Sequence, residues 1–219
     1  MKLSILIPTH NRPELFKRSI NSILNNLPDY PIEIIVNNDS KDITEIHSAQ
    51  VQIRYNYQTS IDISDIYQLL YDQSGGEYVY ILEDDDYIRS NFFDNIVYDS
   101  DVLYIEYISE PEIEYYGPVC AYKMMRKNRK YQSLTNLSEF FNVFDDEYFQ
   151  LGQIIFKNNL IDQVPRGNNI RNDYHLLGML AEIGCSFKYI AEQKWVQTTD
   201  GMDNISVPEL NNDTRFYEE

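Results

Sequence analysis

Apolar and polar residues alternate in blocks over the first hundred positions, in a pattern that predicts strands separated by helices. The predicted strands are four short apolar runs bounded by polar residues, at residues 3–7, 32–36, 51–55 and 77–82. Between them, apolar residues recur at helical spacing after Pro13 and again over residues 62–73. Asn11 and Glu14 have the spacing of a capping box, which predicts that Asn11 caps the first helix.

The second half of the chain is less regular. Its predicted elements are strands at residues 102–107, 115–125, 153–156 and 187–190 and helices at residues 137–144 and 173–183. No internal repeat and no linker rich in Pro, Gly or Ser divides the chain. We therefore expect a single domain over residues 1–219, with a polar tail at 201–219.

Strands that alternate with helices form right-handed βαβ units, so the pattern predicts an α/β fold. We expect a Rossmann-type, mostly parallel sheet flanked by helices, with a smaller irregular second half. Ligands bind at the carboxyl ends of the strands in such sheets. Polar clusters follow three of the predicted strands, namely PTHNR (8–12), NNDSKD (37–42) and EDDD (83–86). These clusters are predicted to converge on one edge of the sheet.

The EDDD cluster places four carboxylates directly after an apolar strand. Two like charges ~4 Å apart repel by about 4 kcal/mol near a protein surface. Such crowding is typical of a site where a cation or a reaction uses the charge. The alternative is an acidic turn that water solvates.

Composition and charge limit the partners and the compartment. The formal net charge of −17 over 219 residues disfavours non-specific attraction to nucleic acid or to anionic membranes. Cys120 and Cys185 are isolated, which argues against a disulfide framework or a zinc site and favours reduced thiols in a cytoplasmic protein. No apolar run approaches the length of a membrane span, so no span is predicted.

Several segments, in order, resemble the family 2 glycosyltransferases, which have the GT-A fold. They are LSILIPTHNRPELFKRSINSIL, EIIVNNDSKD, EYVYILEDDDYI, IIFKNNLI and NDYHLLGMLAEIGCSFKYI. The resemblance extends over residues 1–195 and implies a nucleotide-sugar-binding half at 1–100 and an acceptor-side half at 101–200. It implies an inverting transfer of a sugar from a nucleotide-sugar donor, by default a UDP-sugar, to a hydroxyl group.

The resemblance also implies a divalent cation, Mn²⁺ or Mg²⁺, that bridges the donor diphosphate, because hard cations prefer carboxylate and phosphate oxygens. Asp85 and Asp86 would bind this cation, Glu83 would lie near the ribose, and Asp84 would contact the donor. A shift of one residue would make Asp84 and Asp86 the cation ligands instead. Asp200 and Asp203 are further acidic residues in a C-terminal loop, with no role assigned.

Donor binding is implied for residues that follow the first two strands. They are Pro8, Thr9, Asn11 and Arg12, near the anionic nucleotide, and Asn37 and Asp39, near its base. His10 is interpreted as part of the loop structure. Relatives usually have Asp at the position of Asn37, so the identity of the base stays open.

Asp173 is the predicted general base, at the start of the helix that resembles the acceptor-side segment of the family. Asn172 stands where relatives often have Glu, and His175 is a rival base. The alternative is that Asp173 has no catalytic role and only stabilises the N-terminus of the helix through its negative charge.

A basic run is the last candidate feature. It comprises Lys123, Arg126, Lys127, Arg129 and Lys130. One interpretation is a contact with an anionic acceptor, such as DNA with a hydroxylated base, a lipid phosphate or an acidic glycan. The other is a solvated hairpin arm that balances nearby acids. Two further functions stay open for the whole chain: a sugar-phosphate nucleotidyltransferase and a non-catalytic nucleotide- or sugar-binding module.

Overall fold

The computed structural model describes residues 2–40, 44–59, 63–110, 131–143, 151–163 and 173–198. The strands are β1 (Leu3–Thr9), β2 (Ile32–Asn38), β3 (Gln52–Asn56), β4 (Tyr78–Ile81), β5 (Tyr87–Ile88), β6 (Val102–Glu110), β7 (Ile154–Lys157) and β8 (Phe187–Thr198). The α-helices are α1 (Pro13–Leu24), α2 (Ile63–Gln73), α3 (Leu137–Val143) and α4 (Asp173–Glu182), and short 3₁₀ helices lie at Leu151–Gln153 and Asn158–Gln163. Among these described helices, none has both the length and the apolar character needed to cross a membrane.

All the described strands belong to one sheet, in the order β3-β2-β1-β4-β7-β6-β8-β5. Strands β1 to β4 are mutually parallel, and β6 is parallel to β8. Strands β7 and β5 run antiparallel to their neighbours. The prediction of an α/β fold with a mostly parallel sheet is therefore confirmed.

Successive residues of a strand point to opposite sides of the sheet. Because both faces of this sheet carry apolar residues, helices cover both faces. In β1, Ile5 and Ile7 pack in the same core as the apolar face of α1, whereas Leu6 packs in the core that contains α2 and α4. The buried face of α1 consists of Phe16, Ser19, Ile20 and Ile23. Burial of one such large apolar side chain contributes about 1.5–3 kcal/mol.

The parallel strands are fastened together at their amino ends by Glu33, a buried carboxylate in β2. It accepts hydrogen bonds from Ser4 Oγ at 2.6 Å, from Arg54 Nη2 at 2.6 Å and from the Gly75 amide at 2.7 Å. The neighbouring Gly76 must be glycine, because a Cβ there would lie 2.5 Å from the backbone nitrogen of Ser4. This network ties β1, β2 and β3 to the turn before β4. Because β1 to β4 are parallel, their carboxyl ends lie together at the opposite edge.

The start of α1 differs from the prediction. The N-cap is Arg12, with no side-chain capping bond, so the predicted Asn11 cap is wrong. Asn11 instead has φ of 51° and turns the chain in the left-handed region, which asparagine tolerates better than most residues. Its amide Nδ2 lies 2.8 Å from His10 Nε2. The local contact with His10 replaces the capping bond.

Two other predicted elements need comment. The last strand was expected to end at residue 190, but β8 continues to Thr198 because it pairs with β6 along its whole length and with β5 on its other side. The strand predicted at 115–125 lies outside the described residues.

Candidate active site

The four acidic residues form the loop between β4 and β5. The pairing of β4 with β1 ends in a bond from the Leu82 amide to the Leu6 carbonyl at 3.0 Å, and the loop turns back with the Asp86 amide 3.1 Å from the Glu83 carbonyl. Asp84 and Asp85 are each 5% exposed and Asp86 is 2% exposed. Three adjacent buried carboxylates in one loop require partners that stabilise their charge.

The end of β1 and the loop that follows it supply partners for Asp84. Thr9 Oγ1 donates to Asp84 Oδ2 at 2.8 Å, and the His10 amide donates to the same oxygen at 3.3 Å. Arg12 Nη1 lies 3.1 Å from Asp84 Oδ1 and 2.9 Å from Asp85 Oδ2. Two of the three polar clusters expected at the carboxyl edge are therefore in direct contact.

The third cluster joins them through Asp39. The Asp39 amide donates to the Thr9 carbonyl at 3.3 Å. The Asp39 carboxylate lies 2.5 Å from Nδ1 of His10, an exposed side chain at the end of β1. All three clusters thus meet at one edge of the sheet, and His10 links the first to the second.

Asn37 lies deeper than its neighbours. Its side chain pairs with the backbone of Gln58, through Nδ2 to the Gln58 carbonyl at 3.0 Å and from the Gln58 amide to Oδ1 at 3.3 Å. With 1% exposure, Asn37 fastens the segment after β3 to the end of β2.

A cleft of about 170 Å³ opens at this edge. Its lining includes Pro8, Thr9, Arg12, Asn37, Asp39, Ile63, Tyr67, Glu83, Asp84 and Asp85. A larger cleft of about 670 Å³ lies at the other end of β4, next to Gly76 and Glu77. We place the candidate site in the smaller cleft, because the three polar clusters meet there and the carboxyl ends of parallel strands are where such sheets bind ligands.

Glu83, Asp85 and Asp86 form a group that fits a divalent cation. One carboxylate oxygen from each lies within 4.8 Å of the others. Burial raises the pKa of Asp86 well above its usual range, and the negative charges of Glu83 and Asp85 raise it further. A cation would offset this repulsion, and carboxylate oxygens are the ligands that Mg²⁺ and Mn²⁺ prefer.

Asp84 stands apart from that group. Burial raises the pKa of Asp84 to about 6, although the Arg12 charge and the Thr9 hydrogen bond oppose the shift. Its two oxygens accept hydrogen bonds from the loop after β1, whereas Tyr67 of α2 donates to Glu83 Oε1 at 3.3 Å. The geometry therefore groups Asp85 and Asp86 with Glu83 rather than with Asp84.

The opposite side of the acidic loop is held by two residues that the sequence analysis did not identify. The amide of Thr198, at the end of β8, donates to Asp86 Oδ1 at 2.8 Å, and its hydroxyl donates to the Asp85 carbonyl. Arg18 of α1 donates to the same carbonyl and, at 3.0 Å, to Thr198 Oγ1. The sequence carries little signal for them, because residues 192–198 (EQKWVQT) contain one adjacent apolar pair, Trp195 and Val196, and do not alternate.

The remaining candidate residues are only partly located. Asp173 is the first residue of α4, as predicted for the start of that helix, but its side chain and that of His175 lie outside the described part of the structure. The basic run Lys123, Arg126, Lys127, Arg129 and Lys130, and also Asp200 and Asp203, lie outside the described residues.

The family model described as "Glycosyl transferase family 2" matches residues 4–149 of the chain. No curated protein sequence matches it. Among solved structures, Staphylococcus aureus TarS 1-349 has 16% identity and a TM-score of 0.62, with 90% of this chain and 60% of that chain covered. The same TarS fragment in complex with UDP-GlcNAc has 17% identity and a TM-score of 0.62, with 91% and 59% covered.

The mannosyltransferase PcManGT from Pyrobaculum calidifontis, in complex with GDP-Man and Mn²⁺, is also similar. It has 13% identity and a TM-score of 0.60, with 90% of this chain and 56% of that chain covered. The chain thus spans about three fifths of the length of TarS 1-349 and somewhat less of PcManGT. At these identities the likeness shows a shared fold.

Proposed function

The chain belongs to glycosyl transferase family 2, and we propose that it transfers a sugar from a nucleotide-sugar donor to a hydroxyl group of an acceptor. Its fold is that of the GT-A glycosyltransferases, which it shares with TarS and PcManGT. The observation that carries the proposal is the meeting of three polar clusters at the carboxyl edge of β1, β2 and β4. There Arg12 contacts both Asp84 and Asp85, and Asp85 belongs to the group that it forms with Glu83 and Asp86.

In this proposal Asp85 and Asp86 hold one Mn²⁺ or Mg²⁺ ion, with Glu83 beside them. When bound, the ion would supply Lewis-acid stabilisation to the negative charge of the departing diphosphate. Asp85 is kept in place for this role by Arg12, whose guanidinium lies 2.9 Å from its carboxylate. The presence of Mn²⁺ with GDP-Man in the PcManGT structure supports the assignment.

The donor would lie in the cleft next to the loop after β1. Pro8 and Thr9 line it, Asn11 turns the chain, and Arg12 supplies a positive charge for the diphosphate. The base would lie toward Asp39, at the far side of the cleft. Because Asn37 is already bonded to Gln58, we propose that it shapes this end of the cleft while Asp39 contacts the base.

The nucleotide is proposed to be a uridine diphosphate by default, and the comparisons leave room for another base. TarS structures contain UDP-GlcNAc or UDP, whereas the PcManGT structure contains GDP-Man. In this chain the paired residues His10 and Asp39 both line the cleft. Titration with UDP and with GDP, each in the presence of Mn²⁺, measures the preference of the site for a base.

Asp173 is the proposed general base. It would accept the proton of the acceptor hydroxyl as that oxygen attacks the anomeric carbon from the face opposite the diphosphate. The new glycosidic bond forms as the bond to the diphosphate oxygen breaks, so the configuration inverts. The position of Asp173 as the first residue of α4 supports a fixed backbone for this group.

The acceptor is proposed to be a hydroxyl compound, namely a glycan, a lipid-linked sugar or a hydroxylated base in DNA. The basic run at 123–130 favours an anionic acceptor. If that acceptor were DNA, binding would weaken steeply as the salt concentration rises.

Calorimetric titration with nucleoside diphosphates, with and without Mn²⁺, tests the proposal. We expect one diphosphate to bind only when Mn²⁺ is present, and Asp85→Ala to abolish that binding. Binding that ignores the metal and survives Asp85→Ala would contradict the proposed site. Release of a nucleoside diphosphate from a nucleotide sugar would support glycosyl transfer, whereas release of pyrophosphate from a nucleoside triphosphate would indicate the nucleotidyltransferase alternative.

A further inference from the structure

The acidic loop is held by contacts from two sides. Thr9 and Arg12 contact it on one side, and Thr198 of β8 contacts it on the other. Strand β5 directly follows the loop and pairs antiparallel with β8, Tyr87 opposite Val196 and Ile88 opposite Trp195. Continuing this register backward along the loop places Asp85 opposite Thr198. The end of β8 therefore lies beside the acidic loop, where Thr198 contacts Asp85 and Asp86.

We propose that Thr198 is a positioning residue for this cation site, because it fixes both aspartates at once. Its amide bonds the Asp86 carboxylate at 2.8 Å, and its hydroxyl bonds the Asp85 carbonyl. Thr198 is 2% exposed, so water does not compete well for these bonds. The inference rests on the proposed function, since it concerns the same Asp85 and Asp86.

The physical argument concerns the repulsion within the loop. Carboxylates crowded within 4.8 Å tend to rotate or move apart when no cation is bound. A bond from Thr198 to one oxygen of Asp86 limits the rotation of that carboxylate, and the bond to the Asp85 carbonyl limits the backbone. Residues that orient metal ligands in this way typically change metal affinity by 10–100-fold when they are replaced.

Arg18 completes the arrangement from α1. It donates to Thr198 Oγ1 at 3.0 Å and to the Asp85 carbonyl, and its guanidinium lies 5.1 Å from the ring centre of Tyr87. The Thr198 hydroxyl therefore both donates and accepts. Serine can make the same two bonds, but valine, which has nearly the same shape, can make neither.

The other end of β8 offers a matched control. Ser186, next to the start of the strand, donates from its amide at 2.9 Å and from its hydroxyl at 2.6 Å to Asp101 Oδ2. Like Thr198, Ser186 donates from both its amide and its hydroxyl to an aspartate, but the contact lies near the beginning of β6, away from the acidic loop. Ser186→Ala should therefore change stability without changing cation affinity.

The test is a titration with Mn²⁺ alone, followed by the electron paramagnetic resonance signal of free Mn²⁺, on the whole chain. We expect Thr198→Val to weaken Mn²⁺ binding about tenfold, while Thr198→Ser stays within about twofold of the wild type. Ser186→Ala should bind Mn²⁺ like the wild type. Wild-type affinity in Thr198→Val, or an equal loss in Ser186→Ala, would overturn the positioning role.

A second measurement needs no variant and decides the matter if Thr198→Val does not fold. In the wild type, the amide resonance of Thr198 should shift during a Mg²⁺ titration, with the same dissociation constant as the whole site, because that amide bonds a proposed ligand. A Thr198 resonance that stays unchanged while Mg²⁺ binds would overturn the inference. Failure of the wild type itself to bind Mn²⁺ would instead overturn the cation site of the proposed function, and this inference with it.

Discussion

Arg12 and Asp84 form an ion pair that joins the first and fourth strands of the sheet at their carboxyl ends. Nη1 of Arg12 lies 3.1 Å from Asp84 Oδ1 and is shared with Asp85 Oδ2 at 2.9 Å. The two residues are 72 positions apart in the chain. One guanidinium thus offsets part of the charge of two buried aspartates before any ligand binds.

Replacing Arg12 by leucine should destabilise the fold at pH 7 by about 2–4 kcal/mol, because two buried carboxylates lose their cation. Urea denaturation measures this change. The double variant Arg12→Leu/Asp84→Asn should recover part of the loss, since one of the two charges is then gone. A double variant no more stable than Arg12→Leu would show that the pair is not coupled.

The stability of the protein without metal should increase as the pH falls from 7.5 to 5.5. Burial raises the pKa of Asp84 to about 6, above the ordinary value of an aspartate, and raises that of Asp86 also. A group whose pKa is raised by folding stabilises the folded state below its unfolded pKa, and this contribution is lost as the pH rises through the folded pKa. The expected gain is about 1–2 kcal/mol, measured by thermal or urea denaturation.

Added Mn²⁺ should oppose that pH trend, because the cation binds the deprotonated carboxylates. At tenfold its dissociation constant, Mn²⁺ should add about 1.4 kcal/mol at pH 7.5 and less at pH 5.5. Asp86→Asn should remove most of this metal-dependent gain. Asp162→Asn, an exposed residue of the larger cleft, is the matched control and should keep it. Equal responses of the two variants would contradict the assignment.

Asp173→Asn should lower kcat by about 10²–10⁴-fold while nucleotide binding stays close to that of the wild type. The asparagine side chain cannot take up the proton of the acceptor hydroxyl, but asparagine can still occupy the first position of α4. His175→Gln is the comparison for the rival base. A large loss of kcat in His175→Gln with little effect of Asp173→Asn would transfer the role to His175.

Asp101→Asn should lower the free energy of unfolding without changing the affinity for Mn²⁺, because Asp101 contacts Lys157 and Ser186 and lies away from the acidic loop. Burial alone would raise the pKa of Asp101, but hydrogen bonds from Lys157 and Ser186 outweigh it and lower the pKa to about 2. A lowered pKa gives stability that is present above the unfolded value near 4 and is lost as the pH falls toward 2. We expect a loss of about 1–2 kcal/mol at pH 7 by urea denaturation, with the difference from the wild type shrinking below pH 4.

Local patterns in the chain were sufficient to predict the parallel core of the fold. The apolar run of β1 and the helical spacing of Phe16, Ile20 and Ile23 determine which face each residue buries, because side-chain direction follows from the backbone period alone. The alternation of strand and helix then places the ends of β1, β2 and β4 at one edge. For that reason the acidic loop and the loop after β1 could be expected to meet.

The sequence alone therefore determined the parallel strands β1 to β4, the helices α1 and α2, and the clustering of acids and Arg12 at one edge, since hydrophobic periodicity is a local property. Only the tertiary structure decided that Asp84 turns toward Thr9 and Arg12 while Asp86 is held by Thr198, 112 residues away. Contacts of this kind depend on the path of β8, which pairs with β6 as far as Thr198 and with β5 on its other side. That path is set by packing and hydrogen bonding between distant segments, and no spacing of residues along the chain specifies it.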